Sequence, residues 1–66
     1  MIHTIRKRLR ELKKNGNLVN VLADSTGNTL ILTAVTVKSV REGYVVFTDG
    51  TTDTSVELNK LLDIEF

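Results

Sequence analysis

Catalysis at a protein site needs a nucleophile beside a base, or a set of ligands gathered around a metal. This 66-residue chain offers neither. Its hydroxyl groups at Ser25, Ser39 and Ser55 have a single imidazole to share, His3, which belongs to the first residues of the chain and is expected to be exposed there. There is no Cys and no Gly-rich phosphate loop. Asp49 and Asp53 flank an Asp-Gly pair, but two carboxylates without further oxygen ligands at set spacing read as a turn and not as a calcium loop. The expectation is a protein that is not an enzyme, with no cofactor, no metal and no small-molecule substrate.

What the chain does carry is segregated charge. Residues 1–16 hold Arg6, Lys7, Arg8, Arg10, Lys13 and Lys14 against Glu11 alone, a net +5, whereas residues 17–66 hold three basic against seven acidic residues, a net −4. At about 100° per residue, Arg6, Lys7, Arg10, Lys13 and Lys14 fall on one contiguous helical arc and Arg8 lies off it. Helix stability does not explain the arc. Arg6 and Lys7 sit near the positive end of the dipole, and Arg6 and Arg10 are like charges one turn apart. Two readings remain: a solvated face that pairs with the acidic body, or a face that binds anions such as a phosphate backbone. Arg41, Asn59 and Lys60, in turns further along, are added candidates for such contacts.

The elements that must position these groups follow from periodicity. Ile2, Ile5, Leu9 and Leu12 form the apolar stripe of an amphipathic helix from about Thr4 to Lys14, ended by Asn15-Gly16. Leu18–Ala23 alternates as a first strand, with Val19 and Val21 on one side and Leu18, Asn20 and Leu22 on the other. A turn at residues 24–28 follows, with Gly27-Asn28 tolerant of positive φ. Thr29–Thr48 is the centre of the chain: two β-rich strands interrupted by a polar turn at residues 38–43. In the first of them the apolar side changes phase between Leu30, Leu32 and Val35, Val37, so a bend is expected at Thr33-Ala34. Asp49-Gly50 turns the chain into a fourth strand from Asp53 to Leu58. A short helical kink over Leu58–Leu61 follows, and then a last strand in which Leu62, Ile64 and Phe66 alternate with Asp63 and Glu65.

The fold class is therefore mainly β: an N-terminal α-helix over residues 1–16, then a five-stranded, strongly bent antiparallel barrel over residues 17–66, all in one domain. A chain this short buries only about 60% of its unfolded surface, and with disulfides and metal absent the remaining stabilisation is expected from copies of itself. No apolar run reaches a membrane-spanning length and no signal-peptide pattern opens the chain, so a soluble, cytoplasmic protein is expected.

This order of elements resembles the Sm-like (LSm) small β-barrel family. The tail VELNKLLDIEF is similar to that family's apolar strand, short polar turn and alternating last strand, and Gly27-Asn28-Thr29-Leu30 resembles the Gly-x-x-Leu leading into its second strand. The resemblance implies a homo-oligomeric ring, in which the fourth strand of one subunit pairs with the fifth of the next, and RNA as partner. Val56, Leu58, Leu62, Ile64 and Phe66 would then serve core and seam. The family's uridine-gripping turns differ here, reading Val40-Arg41-Glu42-Gly43-Tyr44 and Leu58-Asn59-Lys60, so the implied binding is through backbone charge. Tyr44 is expected to pack within its strand rather than to stack on a base. The alternative function is a structural or adaptor assembly module of SH3-like type with no nucleic-acid ligand.

Overall fold

The computed structural model describes the backbone of residues 2–65 and the side chains of residues 4–65. Helix α1 spans Ile2–Asn15, followed by β1 (Val19–Ser25), β2 (Asn28–Val40), β3 (Tyr44–Thr48), β4 (Asp53–Glu57), a single 3-10 turn (Leu58–Lys60) and β5 (Leu61–Glu65). One helix and five antiparallel strands is the order the periodicity predicts.

The stripe of α1 buries Leu9 and Leu12 completely and Ile5 in part, and the helix packs on β2. Gly16 ends it at φ 68°, with its N–H donating to the Leu12 carbonyl at 2.9 Å and the Asn17 N–H to the same oxygen at 3.3 Å. In β1, Val19, Val21 and Ala23 face inward, and Leu18 and Leu22 are exposed, as their alternation predicts.

The β1–β2 turn is tighter than expected. The ladder closes as far as the pair Ser25 and Asn28, so only Thr26 and Gly27 are left, at φ 45° and 82°. A two-residue hairpin turn of this hand needs both residues at positive φ. Thr26 therefore takes the left-handed conformation that the sequence assigned to Asn28, at a steric cost to its branched side chain.

The bend in β2 falls where it is expected. Val19 pairs with Val35 and Val21 with Leu32, so Asn20 alone opposes Thr33 and Ala34 in a bulge. Ala34 sits at φ 55°, and its N–H donates to Asn20 Oδ1 at 3.0 Å. The bulge restores the phase, which puts Leu30 and Leu32 on one side of it and Val35 and Val37 on the other against a single core. Past the bend β2 continues through Lys38 and Ser39, which the sequence assigned to a turn. Lys38 is absorbed as a second bulge between the pairs Val37–Phe47 and Ser39–Val46, leaving a turn closed by the Arg41 N–H to the Tyr44 carbonyl at 2.8 Å.

The strand order is β4-β3-β2-β1-β5, with β2 shared by both halves of the sheet. Here the expected barrel is corrected: the sheet is rolled but not closed. β4 and β5 are the outermost strands, yet three residues join them, so rolling brings their ends near each other. Leu61, the first residue after that turn, already pairs with Ala23 of β1, so β5 never starts a hairpin with β4. β5 also departs from simple alternation. Leu62 is the extra residue between the pairs Leu22–Asp63 and Ala23–Leu61, so it is exposed and Leu61 takes the half-buried inner place beside Ile64. Phe66 lies outside the described residues.

Phe47 stands at the centre of the core with Leu9, Val19, Val21 and Val45, and no polar side chain is buried there among the described residues. Two outcomes follow for chemical denaturation. Leu9→Ala lowers stability by about 2–5 kcal/mol, enough to leave a domain of this size largely unfolded. Thr26→Asn raises it by about 1 kcal/mol, because Asn enters the left-handed region at lower cost than a branched residue. An unchanged midpoint in the second variant would contradict the strain assigned to Thr26.

Candidate functional site

The cationic arc is divided by the fold. Lys7, Arg10, Lys13 and Lys14 are exposed, whereas Arg6 is half-buried and its Nε is removed from solvent without a hydrogen-bond partner. Lys7 lines a shallow cleft with Arg8, Glu11 and Asn15, so a carboxylate shares its surroundings. Arg10, Lys13 and Lys14 instead surround half-buried Val40, in an open cleft of about 410 Å³ with no acidic residue in its lining. Val40 immediately precedes exposed Arg41. The last two turns of α1 therefore meet Val40 at the end of β2, and Arg41 is not among the residues that line their cleft. Their positions follow from the burial of Leu9 and Leu12: with that stripe inward, Arg10, Lys13 and Lys14 project beside it along the end of β2.

The other candidate turn forms a site of different character. The Leu58 N–H donates to the Gly43 carbonyl at 3.1 Å, tying the 3-10 turn to the β2–β3 turn. Between them lies an open cleft of about 550 Å³ lined by Glu42, Tyr44, Ser55, Glu57, Leu58 and Asn59. Tyr44, expected to pack within its strand, is 41% exposed there. Asn59 joins the lining, and Lys60 lies beside it with its ammonium 4.0 Å from the Glu57 carboxylate, an exposed pair of little energetic weight. Two carboxylates on this cleft disfavour phosphate, so an anion has its better surface at the helix.

The candidate seam residues also separate. Val56 and Leu58 are buried in the chain's own core, Ile64 is half-buried and Leu62 is exposed on β5. Val40, expected in the turn at residues 38–43, lies instead within β2, which runs two residues past the bulge at Lys38. Leu22 and Ile31, paired across β1 and β2, are exposed on the outer face of the sheet.

Asp49 and Asp53 act within their turn. Asp49 Oδ1 accepts from the Thr51 and Thr52 backbone N–H groups at 2.8 and 2.7 Å, and Asp53 pairs with Lys38. Hydrogen bonds from Thr52 and Thr51 hold the Asp49 carboxyl below its ordinary value, and the Lys38 ammonium does the same for Asp53. The described residues contain no cluster of three or more His, Cys, Asp or Glu able to hold a metal ion, and no helix is long and apolar enough to cross a membrane.

No protein-family model matches the chain, and no curated protein or solved structure is significantly similar to it.

Both lowered carboxyl values carry a pH dependence of defined sign. A group whose folded value lies below its unfolded one stabilises the fold above the unfolded value of 3.8, and that stabilisation disappears as pH falls through the folded value. Urea midpoints measured from ~pH 6 down to ~pH 2 should fall through this window, and Asp53→Asn should flatten the fall. An equally steep fall in the variant would remove Asp53 from the account.

Proposed function

We propose that this chain is a subunit of an Sm-like homo-oligomeric ring that binds RNA through backbone charge. The observation that carries the reading is the strand order. β4 and β5 end the sheet, each paired on one side only, so each presents a row of backbone groups that another strand can complete. Subunits joined β4 to β5 satisfy both rows at once, and such a head-to-tail contact makes a ring when the rotation it repeats divides a full turn. The exposed Leu62 on β5 gives that junction an apolar contact. A core this small gains the buried area it lacks.

The RNA contact is assigned to Arg10, Lys13 and Lys14 around Val40, with exposed Arg41 next to Val40 in the chain as a further candidate. These are long exposed cations on a rigid helix, suited to phosphates rather than to base edges. Asn59 and Tyr44 sit on the neighbouring acidic cleft and supply at most contact to an unstacked base.

Two measurements test the reading. Native mass measurement should give a closed ring of identical subunits, and a monomer would refute it. Binding to a single-stranded RNA should be present at ~50 mM salt and weaken with a log–log slope that becomes shallower by about 2 when Arg10, Lys13 and Lys14 are all replaced by Gln. Unchanged affinity in that variant would exclude the helix as the contact.

A further inference from the structure

The outer face of β1, β2 and β5 is the surface the proposed ring leaves unused. Strand pairing arranges it in rows: Ile31, Leu22 and Asp63 lie side by side, Asn20 lies beside Glu65, and Thr29 beside Asp24. Leu18 continues the β1 row toward the helix end of the strand. Leu18 is 64% exposed, Ile31 65% and Leu22 36%, while their neighbours on the opposite face are core. Leu22 and Ile31 adjoin on this outer face and carboxylates lie around them, the apolar-centre and polar-rim arrangement that interaction surfaces use.

The strands of that face carry charge of one sign. β1, β5 and the β2 residues up to the bend contain Asp24, Asp63 and Glu65 and no Lys or Arg. Two such faces meeting each other would set carboxylate against carboxylate, which argues against a symmetric face-to-face pair. The complementary surface is present on the same molecule. Arg8 of α1 lines a cleft with Leu61, Leu62 and Asp63 at the β5 margin of that face, but exposed Arg10, Lys13 and Lys14 surround Val40 instead, with Leu9 and Leu12 holding the helix on the inner side of the sheet beside Val19, Val21 and Ala23. Arg10, Lys13 and Lys14 meet that face only on a second copy.

We propose that the acidic, Leu22–Ile31-centred outer face of β1, β2 and β5 is the docking site for the basic helix face of a second copy of this chain. The contact is heterologous: the donor surface lies on one side of the sheet and the acceptor on the other, so each docked copy leaves both a free helix and a free face, and the assembly extends as a stack. It uses side chains and charge, whereas the β4–β5 junction uses backbone hydrogen bonds, so the two respond differently to salt and are measured separately. Because the docked helix face includes Arg10, Lys13 and Lys14, a stacked copy and an RNA strand compete for it.

Sedimentation velocity of the purified chain at ~50 mM and ~500 mM salt provides the test. The high-salt mass reports the ring or its absence. The increase in mass at low salt reports the stacking, whatever the high-salt species is. The double variants R10E/K13E and D63K/E65K should each lose the low-salt increase, and an equimolar mixture of the two should regain it, since the reversed helix of one then meets the reversed face of the other. Ile31→Ser, at an exposed position that leaves the core untouched, should weaken the association at least tenfold while circular dichroism stays that of the parent. A wild-type mass independent of salt, an Ile31→Ser variant that stacks as the parent does, or folded charge variants that fail to recombine would each overturn the proposal.

Discussion

The bend at Ala34 governs this molecule. A straight thirteen-residue β2 would carry its two apolar stretches on opposite faces, and no single core could cover both. One extra residue at Thr33-Ala34 corrects the phase and turns the strand, so that its first half pairs with β1 and its second with β3. The Asn20 side chain accepts the Ala34 N–H that the bulge removes from the ladder. With β2 bent, β1 and β5 fold over toward β3 and β4, and Phe47 and Val45 meet Val19 and Val21 from the opposite half.

That same bend decides which surfaces are left over. Three residues of chain join β4 to β5, yet the rolled sheet does not pair them, so the fold keeps two open edges. The helix occupies the inner side and is held there by Leu9 and Leu12, which leaves Lys7, Arg10, Lys13 and Lys14 outward and the opposite sheet face uncovered. Three unfinished surfaces, of backbone edge, positive helix and acidic apolar face, lie on one small subunit. Their chemistry is mutually complementary, which is why both the proposed ring and the proposed stack are built from copies of this chain.

The charge separation has a physical consequence of its own. With +5 on the first sixteen residues and −4 on the remainder, the chain is nearly neutral overall yet strongly polar. A protein of that kind gains little solubility from self-repulsion and associates readily where its opposite poles can meet. Salt acts on such contacts within about 10 Å at ordinary ionic strength, so association of the poles and binding of a polyanion are governed by the same variable.

Periodicity alone determined the helix and its stop at Gly16, the inward and outward sets of β1, the bend at Thr33-Ala34 and the polarity of charge, because each depends on neighbours within a turn or a few strand residues. The tertiary structure decided what depends on a partner strand. Thr26 rather than Asn28 takes positive φ, since the pairing of Ser25 with Asn28 fixes the turn length. Lys38 lies within β2 because β3 absorbs it as a bulge and Asp53 pairs with it. Leu62 turns outward because β1 accepts Leu61 first. The open sheet has the same origin: whether β4 meets β5 depends on where β5 begins its pairing with β1, a register between distant segments that no local spacing encodes.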